Sequence, residues 1–179
     1  RHYKTKKDLL ISIVIPSLTN FAAPLYAEQF VEEVFEQSYE RFDDMLYHFI
    51  KNRFAFAQTN LPLIKILFQE LAFHQEIQTA IQTIFTKKIY PELNRILNYF
   101  KEKGQVQDLP NESIIRMIIP TILGLTVNRY LLQPTKNWDD ELEIRRTVSF
   151  IMNGVGKITR RSSHLGISSL LRSFIAVGK

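Results

Sequence analysis

Apolar residues recur along this chain at intervals of three and four, and no stretch alternates with the period of two that builds a strand. The first helix is predicted just after "TKKD", a capping-box pattern in which Thr5 accepts from the Asp8 backbone N–H. Leu9, Leu10, Ile13 and Val14 then make an apolar face, and Pro16 and Pro24 predict a kink or break between them. A second helix is expected over residues 39–58, carrying Phe42, Leu46, Phe49, Ile50 and Phe54 at i, i+4, i+7, i+8 and i+12. Asn60 reads as the N-cap of the next helix, with Pro62 tolerated in its first turn.

Residues 63–103 are too many for one unbroken helix in a compact domain. A break is expected near His74 and Gln75, a kink at Pro91, and a left-handed cap at Gly104. The helix predicted over residues 111–133 is apolar nearly all the way round, so it must be covered on every side. Gly124, in its middle, costs roughly 1 kcal/mol relative to alanine and suits a close approach by another backbone. A final helix over residues 139–153 opens on Asp139, Asp140 and Glu141, the charge sign favoured at a helix N-terminus. The fold class is therefore all-α, with seven or eight helices expected. Residues 158–179 differ in composition, with serines and cations ahead of a short amphipathic stretch, "SLLRSFIAVG".

Composition narrows the chemistry. The 179 residues suffice for one domain with a sizeable core. The absence of cysteine excludes disulfides, thiolate metal sites and cysteine nucleophiles, and suits a reducing cytoplasm. No uninterrupted apolar run approaches the ~18 residues that span a bilayer, so no transmembrane segment is expected. The net charge of +5 is uneven: the start is basic, Glu28 to Asp44 is strongly acidic, and no acid follows Lys157. A polyanion would be met at an end of such a molecule, although solvated surface charge accounts for the pattern equally simply.

The four histidines form no HxxxH or HExxH pair. Asp44 with His48, and Glu70 with His74, share helical faces, a spacing that more often makes an ordinary hydrogen bond than a metal site. There is no glycine-rich phosphate loop and no GxSxG turn, so no metal, no cofactor and no catalytic residue is proposed. Aromatic content inside helices is the more telling feature. Tyr47, Ile50 and Phe54 share a face, Arg53 lies in an otherwise apolar neighbourhood, and Phe68 and His74 follow on the next helix. Apolar walls with a few polar anchors suit a small-molecule cavity, for which these six residues are the candidate lining. For any single aromatic, simple core packing is the competing account.

The opening "HYKTKKDLL" resembles the end of the helix-turn-helix domain in TetR-type (tetracycline-repressor family) transcriptional regulators. "LPLIKILFQELAFHQEI", "LNYFKEKGQV", the long apolar helix and "FIMNGVG" follow in that family's order and spacing. Tyr3 stands where the family usually has Phe, and Lys7 where it has an acid. The resemblance implies that His2, Lys4, Thr5 and Lys6 meet DNA phosphate at a helix N-terminus, where backbone N–H groups and cations make an anion site. It also implies a homodimer in which the last two helices pair with their two-fold mates through Met117, Thr121, Gly124, Asn128, Val148 and Ile151.

Three segments are expected on this basis. Residues 1–10 are the remnant of a DNA-binding head that lacks most of its recognition helix, 11–156 are the ligand-binding and dimerisation domain, and 157–179 are a basic tail. The implied function is that of a cytoplasmic, ligand-responsive transcriptional regulator, a repressor. Its partners are a second copy, a small and largely apolar effector and, in the full-length protein, operator DNA. A different reading is an all-α adaptor that docks on a membrane surface or partner protein through its basic tail.

Overall fold

The computed structural model describes Thr5 and residues 9–156, without the side chains of residues 10, 11 and 21. His2, Lys4, Lys6, the Asp8 half of the capping box and the basic tail lie outside the described residues; Thr5 is exposed. Among the described residues the chain is helical with no strand. We label the helical segments α1 (residues 10–35), α2 (Phe42–Thr59), α3 (Leu61–Glu70), α4 (residues 75–102), α5 (Asn111–Leu132) and α6 (Asp140–Val155).

Pro16, Pro24 and Pro91 distort their helices without breaking them. Each follows, by two residues, a five-residue π-helical turn: Leu10–Val14, Leu18–Ala22 and Phe85–Ile89. A proline ring clashes with the carbonyl four residues back and offers it no N–H. Widening the preceding turn relieves both problems, because N–H groups now reach five residues back, as Ala23 N–H does to the Leu18 carbonyl. The helix therefore continues through Pro16 and Pro24 as α1, where a kink or break is expected, and through Pro91 as α4, where a kink is expected. Between α3 and α4 the expected break is present, with turns at residues 71–73 and α4 starting at Gln75.

Helix ends show which local signals act. Gly104 takes φ +68°, with its N–H on the Lys101 carbonyl (2.8 Å) and Gln105 N–H on the Phe100 carbonyl (2.9 Å). Asp139 caps α6 by accepting from Leu142 N–H at 3.0 Å. Asn60 does not cap α3: its side chain donates to the Phe56 carbonyl (3.0 Å) and accepts from the Tyr26 hydroxyl (3.2 Å), tying the α2–α3 corner to α1. The start of α2 has no local cap. Gln105, 63 residues away, accepts Phe42 N–H at 2.8 Å instead.

Helix α2 runs through the centre of the core. Phe42, Leu46 and Ile50 are fully buried among Leu97 and Phe100 of α4, Ile114 and Ile118 of α5, and Ile144 and Ile151 of α6. Each such side chain contributes on the order of 1.5–3 kcal/mol of burial. Helix α5 is long and apolar enough, by length and composition, to cross a membrane. One stripe of it, Ile114, Ile115, Ile118 and Ile122, packs into this core. Its opposite side leaves Met117 and Leu123 about half exposed.

Candidate functional site

On the side of α2 that faces α1, the packing does not close. A cavity of about 370 Å³ remains, walled by Tyr26, Ala27 and Phe30 of α1, Phe49, Arg53, Phe56 and Ala57 of α2, and apolar residues of α3, α4 and α5. Its walls are almost wholly apolar. Phe68, Ile81 and Leu123 line it and are also 47%, 40% and 52% exposed, so they mark its solvent side. Helix α3 supplies Leu63, Ile64, Leu67 and Phe68 to the wall, yet none of its residues is buried. A strongly apolar helix with no buried residue is a loosely seated cover.

Three polar side chains reach the lining. The Tyr26 hydroxyl is committed to Asn60, and the Thr126 hydroxyl donates to the Ile122 carbonyl at 3.0 Å. Arg53 is different. Its guanidinium carbon sits 3.9 Å from the ring centroid of Phe30 and 4.9 Å from that of Phe56, both cation–π distances. Among the described residues its one hydrogen-bond acceptor is the Asn52 side-chain oxygen, reached by Nε at 3.1 Å and also by Nη2. Glu33, the acid whose field reaches it, accepts instead from the Asn52 amide. Burial pushes the Arg53 guanidinium down to about 10, with Glu33 opposing the shift.

The candidate residues separate into groups. Arg53 and Phe68 line the cavity. Ile50 and Phe54 do not: they lie in the closed core, where the Tyr130 hydroxyl donates to the Phe54 carbonyl at 3.3 Å. Tyr47 is on the α6 side, donating to Glu141 Oε2 at 2.7 Å. His74 lies in a separate groove of about 500 Å³ between α1 and α4, with its Nε2 3.0 Å from Glu70 Oε2. The cavity stripe of α2 is thus Phe49, Arg53, Phe56 and Ala57, one face round from the expected one. Tyr26 and Phe30 were not anticipated, since an acidic stretch with an unbroken apolar side carries no signal of which helix it will meet.

The outer face of α5 and α6 also divides. Met117 is exposed, Thr121 donates to the Met117 carbonyl (2.7 Å), and Asn128 is half-buried. Gly124 is exposed, with open space where a Cβ would stand, so among the described residues no other backbone approaches it. Val148 and Ile151 are buried in the chain's own core and offer nothing to a partner, because α6 turns that stripe toward α2. The exposed apolar residues of α6 are Leu142 and Phe150, the latter 70% exposed. Among the described residues, no group of three or more acids and histidines converges as a metal site would require.

No family model matches this chain, and no curated protein or solved structure is significantly similar to it.

Proposed function

We propose that this chain is the sensing and dimerising region of a TetR-type, ligand-responsive transcriptional regulator, a repressor that acts in the cytoplasm by binding rather than by catalysis. The observation that carries the proposal is the open, apolar cavity bounded by five helices, with a single buried-side cation in its wall. A core that merely packed would close this space, because interiors approach crystalline density. The exposed apolar side chains Met117, Leu123 and Phe150 support the second half, a two-fold partner on α5 and α6.

In this reading α1 couples the two functions. It contributes cavity wall along its C-terminal half and, in the full-length protein, leads back to the DNA-binding head. A ligand that spreads α1 from α2 changes the separation of the paired heads, and its effect is limited to its differential affinity for the two arrangements. Sedimentation velocity tests the assembly: a dimer at micromolar concentration is expected, and a clean monomer counts against the reading. In the full-length protein, Lys6→Ala should weaken DNA binding uniformly across sequences and flatten its salt dependence. A base-selective change contradicts the phosphate role.

A further inference from the structure

The geometry points to a carboxylate-bearing amphipath as the ligand of this cavity: an apolar body between α1, α2 and α5, and an anionic head on the in-plane N–H groups of Arg53. The inference rests on the effector-binding reading above and narrows it to one chemical class. Three observations combine. The cavity wall is otherwise apolar, so the ligand's body must be hydrocarbon-like. The polar side chains Tyr26 and Thr126 are already satisfied within the protein. Arg53 has donors to spare, because it lies against the rings of Phe30 and Phe56, which accept no conventional hydrogen bond, and both of its hydrogen bonds among the described residues end on one Asn52 oxygen.

A guanidinium offers five N–H donors in a planar fork that matches two carboxylate oxygens, and charge-assisted bonds of that kind are about twice as strong as neutral ones. The acid nearest in effect, Glu33, is engaged by Asn52, whose oxygen takes the Nε–Nη2 edge and leaves the Nη1 and remaining Nη2 hydrogens for a ligand. A cationic ligand would meet like charge at this wall, and a neutral one would leave the fork unused. The volume of about 370 Å³ equals that of roughly a dozen waters and opens to solvent beside Phe68, Ile81 and Leu123, so a saturated acid of about ten carbons is a probe of suitable size.

Isothermal titration calorimetry with decanoate, 1-decanol and decylamine at neutral pH tests the inference on the whole chain. Decanoate should bind roughly ten-fold or more tightly than 1-decanol, the range expected for hydrogen bonds to a charged group. Decylamine should bind more weakly than either. Arg53→Met should erase the preference for decanoate, and Arg53→Lys should keep part of it; if the methionine variant fails to fold by circular dichroism, Arg53→Gln replaces it. Equal binding of decanoate and 1-decanol by the wild-type chain overturns the inference, as does an Arg53→Met variant that retains the preference. These results leave the effector reading standing. Binding of none of the three probes removes both.

Discussion

Replacing Arg53 by methionine removes a charge from the cavity wall and keeps an unbranched side chain able to lie against Phe30 and Phe56. The charge is expensive where it stands. Burial pushes the guanidinium down to about 10, and at about 1.36 kcal/mol per unit this sets an upper limit of ~3 kcal/mol on the penalty carried by the charged form. Water reaches part of the group and trims that figure. Opposing it are the contacts with the two rings, about 0.5–2 kcal/mol each, part of which a methionine sulfur against an aromatic edge restores. The hydrogen bond to Asn52 is between adjacent residues and only partly buried, so its loss costs little. The net expectation is that Arg53→Met leaves the empty protein as stable as wild type or more stable by up to about 2 kcal/mol. Urea unfolding followed by far-UV circular dichroism measures this directly, with equal slopes confirming that the unfolded state has not changed. A loss of more than about 1 kcal/mol would mean that the cation holds the fold together, and the case for a binding role would fall.

Gly104→Ala should cost about 1–2 kcal/mol in the same assay, all of it from the left-handed backbone, because nothing lies within 4 Å of the added carbon. The Glu141 carboxyl is held below its usual range first by the hydrogen bond from Tyr47 and then by Arg145. Tyr47→Phe should raise it, as read by NMR titration of that carboxyl. Since the folded value is depressed, the wild-type contribution is present above the unfolded carboxylate range and lost as pH falls through the folded one. An unchanged titration would show that the Tyr47 bond is not populated in solution. Phe150→Glu should abolish dimerisation in sedimentation velocity while leaving the helical circular dichroism intact, because the ring contributes to exposed surface and not to the core. Hydrogen exchange should show α3 opening far more readily than α2, and slowing when a ligand fills the cavity beneath it.

Much of the fold was legible because short-range signals coincide with helix ends. The α2 stripe of Phe42, Leu46, Phe49, Ile50 and Phe54, the Gly104 cap and the acidic start of α6 at Asp139 and Asp140 each depend on residues within a turn or two. Pro16, Pro24 and Pro91 mark irregular helix, but the form it takes is not visible in composition: a wide turn ending two residues upstream removes the clash. The cavity was half legible. Arg53 stands out as a cation in an apolar neighbourhood, and Phe68 as an aromatic on the next helix. The stripes containing Phe49 and Phe56, and Ile50 and Phe54, are equally apolar, so periodicity does not tell cavity from core. Only the long-range packing decides: α1 comes to one side of α2 and leaves space, while α5 and α6 close the other. Val148 and Ile151 mislead for the same reason, since an apolar stripe fits the chain's own core as well as a partner.

The central claim, that the space between α1, α2 and α5 is a binding cavity, is tested most directly by native mass spectrometry of the purified chain beside Ala23→Phe. That substitution places a ring in the cavity wall from a half-buried position on α1. The account predicts a non-covalent small-molecule adduct on the wild-type chain, either co-purified or acquired from added decanoate, and none on the variant. A bare wild-type mass under both conditions, or an adduct carried equally by Ala23→Phe, would contradict it.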